Sequence, residues 1–231
     1  MLDFTLGLAK SIFPIGPALD EQIGGMLFAF SMYTKPSNLL YLPMLEINFG
    51  PFPEIRTARL RLREKQESDA EDMFFLRTRP EVTKYLDREN DKDAAAVAEL
   101  IRSIKDTYNQ GNGISWAICL PDDPRVIGDI SIWRLDKKNH RGEVGYTLLP
   151  EYWKGGFMSE AMAEVLRFAF DVIGLHSLEA NTSVGNDASH ALLRKFGFVQ
   201  EAHFKENWEF RGQFYDSVIF SLLARNWRAR R

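Results

Sequence analysis

One junction constrains this chain more than anything else in it. Glu143-Val144-Gly145-Tyr146-Thr147-Leu148-Leu149 reads as a strand, Pro150 follows it, and Gly155-Gly156 leads straight into a helix. That helix sets Glu160, Glu164, Arg167 and Asp171 at i, i+4, i+7 and i+11, a single narrow polar stripe. Nearly everything else from Ala161 to Ile173 is apolar, so the helix is covered on almost all sides, and Gly174 closes it. Free N–H groups at its start, at the positive end of its dipole, form an anion site, and the glycines let a phosphate approach without a Cβ in the way. Lys154 adds a formal charge there. A plain strand–helix turn is the competing account of a bare Gly-Gly. The segment lacks the Gly-Lys-Ser/Thr ending of a P-loop and the third glycine of a dinucleotide fingerprint.

The elements around the junction predict a mixed α/β domain. Ala58 to Arg63 alternates as a strand with one wet face, and Ser68 with Glu71 forms a capping box for a helix through Met73, Phe74 and Leu76 that stops before Pro80. A second helix spans about Asp91 to Tyr108. Strands at Ile114–Leu120, Val126–Leu135 and Glu143–Leu149 form an antiparallel meander. After the buried helix come a short strand at Leu178–Thr182, a helix capped by Asn186 or Asp187 and ended by Gly197, and strands at about Phe198–Trp208 and Phe214–Leu223. The order predicts one sheet with helices on both faces.

Composition excludes several classes of function. The 231 residues carry 29 Lys+Arg against 32 Asp+Glu, a net charge of −3, so there is no whole-molecule field for nucleic acid. The arginine-rich tail from Arg225 to Arg231 reads as a solvated terminus before it reads as an RNA contact. With 17 Phe, 7 Tyr and 5 Trp, a sizeable core is available. Cys119 is the sole cysteine, so no intrachain disulfide forms and a reducing, cytoplasmic setting is expected. His140, His176, His190 and His203 lack metal-ligand spacing, and no metal is expected. Residues 1–50 differ from the rest in having few charges, and their longest uncharged apolar run, Ile23 to Tyr33, is short of a membrane span. They read as an added helix, a flexible arm or a non-native, dispensable translated sequence, with Met44 a plausible start by itself.

Together these pieces resemble the GNAT superfamily of N-acetyltransferases. Its acyl-CoA pyrophosphate loop, Arg/Gln-x-x-Gly-x-Gly/Ala, lies between a bulged strand and the central helix. Trp153-Lys154-Gly155-Gly156-Phe157-Met158 departs from that motif at both ends, but the Trp and the Met are usual in the Rim-type ribosomal-protein alanine N-acetyltransferases. Thr57 to Arg63 is similar to that subgroup's opening strand, and Glu143-Val144-Gly145-Tyr146 to its fourth. Asn186-Asp187-Ala188-Ser189 followed by Lys195-Phe196-Gly197-Phe198 resembles its Asn-x-x-Ser and Gly-Phe signature, and Arg211-Gly212 with Asp216 its last hairpin. The likeness runs from about Pro51 to Leu223, which implies a domain over residues 51–231 with a mostly antiparallel central sheet flanked by helices on both faces.

The resemblance implies transfer of an acetyl group from acetyl-CoA to a primary amine. A protein N-terminus is the first choice of acceptor, with small-molecule amines or a non-catalytic CoA-binding module as alternatives, in a monomer or homodimer away from membranes. The diphosphate is expected on the amides of Gly155, Gly156, Phe157, Met158 and Ser159 beside Lys154, and the pantetheine along Thr147, Leu148 and Leu149. Asn186 bonds the pantetheine, caps its helix, or does both. The amine needs a base, because amines of pKa near 8–10 are mostly protonated at neutral pH. Strand alternation puts Glu143 on the face of Gly145 and Thr147, which makes it the first candidate, and Glu209 is the rival. Ser189 is the candidate proton donor to sulfur; Tyr146 and Trp153 are expected to pack.

Overall fold

The structure, a computed structural model, describes residues 43–86 and 88–230. The expectations for residues 1–42 lie outside the described residues.

Among the described residues, eight strands form one sheet in the order β1 (Ile55–Arg56), β2 (Arg61–Glu64), β3 (Ile114–Leu120), β4 (Asp123–Asp136), β5 (Arg141–Leu148), β6 (Ser177–Ser183), β8 (Gln213–Leu223), β7 (Val199–Phe210). Every neighbouring pair is antiparallel except β5 with β6. A parallel pair cannot be joined by a tight turn. The connection here is the covered helix, α4 (Phe157–Arg167), continued by a π-helical turn over Phe168–Ile173 and closed at Gly174 with φ +79°. The expected mixed, mostly antiparallel sheet is thus present.

Alternation along β3 assigns the two layers. Trp116 and Ile118 face Ile130, Ile132, Met162, Leu166 and Phe170 in the main core, on the side of α4. Ala117 and Cys119 face the other way, toward Met73 of α1 (Ala70–Thr78) and Val97 and Ile101 of α3 (Ala94–Asn109). A short α2 (Pro80–Thr83) separates α1 from α3, begun by the proline that ends α1. The last elements are α5 (Asp187–Lys195), ahead of β7, and α6 (Ala224–Arg228) after β8.

Three local expectations are corrected. The strand expected from Ala58 starts only at Arg61, because Thr57 N–H donates to the Leu60 carbonyl and Thr57 Oγ1 accepts from Leu60 N–H, both at 2.9 Å, folding 57–60 into a turn. The Ser68–Glu71 capping box is replaced by Asp69, whose Oδ2 accepts Gln66 N–H at 2.8 Å and whose two oxygens each meet Arg63 at 2.7 Å. A bidentate arginine with a buried carboxylate outcompetes the local Ser–Glu exchange. The arginine tail is also less solvated than expected: Arg228 donates to the Phe170 carbonyl at 2.9 Å and Arg230 to the Lys195 carbonyl at 3.2 Å.

Packing of the domain reaches back to residue 43. Leu45 N–H bonds the Lys137 carbonyl at 3.0 Å, Phe49 stacks on Tyr108 at 5.2 Å between centroids, and Trp116 Nε1 donates to the Pro53 carbonyl at 2.8 Å.

Candidate active site

The parallel ladder between β5 and β6 lasts only three pairs, Arg141 with Ser177, Gly142 with Leu178 and Glu143 with Glu179. Beyond Glu143 the two strands part, and among the described residues β5 keeps a partner on one edge only, β4. Leu149 N–H donates to the Ile127 carbonyl at 2.9 Å, which makes 127/149, and every second pair after it, the hydrogen-bonded pairs of the β4–β5 ladder. The backbone groups of Val144, Tyr146 and Leu148 therefore point into the opening. Those of Thr147 and Leu149 are turned to β4. Of the three residues expected along the pantetheine, only Leu148 presents its backbone to the opening, and its carbonyl takes the Trp153 indole N–H at 2.7 Å.

The side chains of β5 divide across the sheet. Glu143, Gly145 and Thr147 share one face with Trp133, Ser131 and Asp129 opposite them on β4. A Cβ on Gly145 would lie 3.5 Å from Ser131 Oγ and 3.6 Å from Trp133 Nε1, so glycine leaves room beside a hydroxyl and an indole on the face that Glu143 shares. Burial pushes the Glu143 carboxyl up, and Arg134 Nη1, 3.0 Å from its Oε2, works against that. Thr147 Oγ1 donates to Asp129 Oδ1 at 2.5 Å, and Asp129 Oδ2 meets the buried Lys65 ammonium at 2.6 Å.

Tyr146 goes to the opposite face. Its hydroxyl is 2.6 Å from Ser189 Oγ, the third residue of α5. Burial drives the Tyr146 hydroxyl up to about 12, although the Ser189 contact pulls the other way, so it keeps its proton throughout the physiological range. Asn186 caps α5, its Oδ1 accepting Ser189 N–H at 3.2 Å. Spacing alone assigns Tyr146 to packing, because its hydroxyl partner is 43 residues away.

The glycine turn completes the site. Lys154 and Gly156 adopt φ of +61° and +79°, conformations that set the exposed backbone at the start of α4. Among the described residues, no acceptor is bound by the amides of Gly155, Gly156, Phe157, Met158 or Ser159. Ser159 Oγ receives the Lys195 ammonium at 3.0 Å. Arg59, missed in the sequence because it falls inside an alternating run, donates from Nη1 to the Gly155 carbonyl at 2.9 Å and lies over the Phe157 ring at 4.5 Å. Open amides, two cations and a chain-parallel strand edge suit a ligand with phosphates at one end and amides along its length.

Glu209 is placed elsewhere, at the tip of the β7–β8 hairpin, where Oε1 accepts Gly212 N–H at 2.5 Å. His190 is a core residue, with Nε2 on Thr182 Oγ1 at 3.0 Å and its ring beside Phe220.

Known proteins match this arrangement. The GNAT acetyltransferase domain model matches residues 59–199. The uncharacterised N-acetyltransferase YoaA of Bacillus subtilis (strain 168) is 34% identical over 172 residues, covering 74% of this chain and 97% of that protein. The [ribosomal protein uS5]-alanine N-acetyltransferase of Escherichia coli (strain K12) is 27% identical over 126 residues, 54% of this chain and 64% of its own length. The structure of Mycobacterium smegmatis RimJ in complex with CoA-disulfide superposes with a TM-score of 0.66 at 19% identity, covering 75% of this chain and 87% of that one. From the parted strands to the glycine turn, and across nearly the full length of its relative, this chain belongs to the GNAT acetyltransferase family and is an N-acetyltransferase.

Proposed function

We propose that this enzyme transfers the acetyl group of acetyl-CoA to the N-terminal amine of a protein, in the cytoplasm, with Glu143 as the base and the Tyr146–Ser189 pair serving the departing sulfur. The observation that carries the reading is the split of these groups across β5. Glu143 is on one face and Tyr146 on the other, with the opening between them. A thioester carbonyl lying along that opening is attacked from the Glu143 side and expels its sulfur toward Ser189.

In this reading the amine nitrogen bonds to the carbonyl carbon, and Glu143 takes the proton directly or through water. The oxyanion meets a backbone N–H of β5, from Val144 or Tyr146, the amides that face the opening. The C–S bond then breaks, and the sulfur leaves as a thiolate accepting a hydrogen bond from Ser189. A hydroxyl held near 12 does not surrender its proton to a thiolate of ordinary pKa near 8.5. Tyr146 accordingly orients Ser189 as a donor rather than acting as an acid.

The acceptor class follows from proton availability. An α-amine of pKa about 8 is roughly one-tenth free base at pH 7, whereas a lysine-like amine near 10.4 is free to less than about one part in a thousand. A carboxylate raised only by burial suits the former. Exposed Phe204, Trp208 and Phe214 on the β7–β8 hairpin give a peptide more apolar surface than a small amine uses. The uS5-alanine relative points the same way.

The test is thiol release from acetyl-CoA with peptides bearing free N-terminal alanine or serine, N-blocked lysine peptides, polyamines and amino sugars. Free N-terminal peptides are expected to exceed the others by at least about 100-fold in kcat/KM. A polyamine or amino sugar turned over faster than every peptide would replace this reading with a small-molecule one.

A further inference from the structure

Arg59 stands where the ligand's negative charge would be. The Thr57–Leu60 turn takes it out of the sheet and carries it to the start of α4. Its backbone N–H and Nε donate to Glu160 Oε1 and Oε2 at 3.0 and 2.7 Å, and Nη1 to the Gly155 carbonyl at 2.9 Å. Nη2 has no acceptor among the described residues. It would lie 3.5 Å from a Cβ placed on Gly156, the residue whose left-handed backbone exposes the open amides. With the Phe157 ring 4.5 Å from the guanidinium, the free Nη2 is held beside the backbone of the glycine turn.

Glu160 explains why a cation is needed there. A carboxylate in the first turn of α4 would repel a bound anion. Thr57 Oγ1 donates to its Oε1 at 2.5 Å, so the donors from Thr57 and Arg59 engage both of its oxygens. Burial alone would raise the Glu160 carboxyl; these bonds more than offset it and hold it low, ionised and neutralised.

We propose that Arg59 is a substrate-binding residue whose Nη2 donates to the diphosphate of CoA, adding from the β1–β2 turn a side-chain cation to the Lys154 that the loop itself carries. This rests on the reading of the opening as the acetyl-CoA site. The alternative is a strut: Arg59 and Glu160 merely tie the turn to α4.

Calorimetric titration of CoA and dephospho-CoA, with melting temperatures alongside, separates the two. Arg59→Gln is expected to weaken both ligands alike by about 10–100-fold, the worth of a hydrogen bond to a charged group, because both keep the diphosphate. Arg59→Lys, which keeps the charge without the fork, is expected to lose less. Glu160→Gln is expected not to weaken CoA. If Glu160→Gln and Arg59→Gln weaken CoA equally, Arg59 is a strut and the proposal fails. If Arg59→Gln weakens CoA but not dephospho-CoA, the contact is to the 3′-phosphate and the assignment is wrong. Unchanged affinity in Arg59→Gln overturns the assignment alone. Wild-type protein that binds no CoA overturns the reading of the opening as well.

Discussion

Tyr146 Oη and Ser189 Oγ lie 2.6 Å apart, joining the strand that parts from β6 to the first turn of the helix behind it. If the pair acts as one donor to the sulfur, its members are not additive. Ser189→Ala is expected to lower kcat about 10-fold, Tyr146→Phe less, and the double variant no more than Ser189→Ala. With the Tyr146 hydroxyl raised to about 12 by burial, no basic limb from it appears below pH 10. Steady-state kinetics over pH 6–10 check this; multiplied losses in the double variant would show two independent contacts.

Asp129 and Lys65 form a second coupled pair. Burial would raise the Asp129 carboxyl, but the Lys65 ammonium at 2.6 Å and the Thr147 hydroxyl hold it low. A carboxylate depressed by folding contributes stability that is present above its unfolded pKa near 3.9 and lost as pH falls through the lower folded value. Asp129→Asn leaves a 4%-exposed ammonium unpaired and is expected to cost about 3–5 kcal/mol at pH 7. Adding Lys65→Met to it should restore most of that. Urea unfolding at pH 7 and pH 3 reads both effects. A single-variant loss under about 1 kcal/mol at pH 7 would mean that water reaches the pair.

Residues 44–50 are expected to contribute to the domain's stability. Chains beginning at Met44 and at Pro51 differ by Leu45, bonded to Lys137, and Phe49, stacked on Tyr108. The shorter chain should melt lower by about 3–10 °C. Equal melting temperatures would show that these contacts add nothing.

Most of the fold was legible because its signals are local. The β3–β5 meander, the stripe of α4 and the Gly-Gly turn each follow from spacing, and their order leads to a sheet with helices on both faces. What escaped depends on residues far apart in sequence. Alternation from Ala58 to Arg63 concealed the turn made by the Thr57 hydroxyl, and with it the path of Arg59 to Gly155, 96 residues on. The backbone groups of β5 that face the opening follow from the hydrogen-bonding register against β4, which side-chain alternation does not reveal. Glu209 was ranked by family position alone; one of its carboxylate oxygens accepts the Gly212 N–H at the hairpin turn.

The base assignment is the central chemical claim. Burial raises Glu143, and Arg134 opposes that rise, so Arg134→Gln should move the acid limb of kcat/KM to higher pH. The amine's own limb, near pH 8, should stay in place. The most direct measurement is kcat/KM for an alanine-starting peptide in wild type and Glu143→Gln, with CoA affinity measured on the same preparations. The account predicts a loss of about 10²–10⁴-fold, disappearance of the lower acid limb, and CoA affinity within about twofold of wild type. Undiminished turnover in Glu143→Gln, or a larger loss in Glu209→Gln, would contradict it.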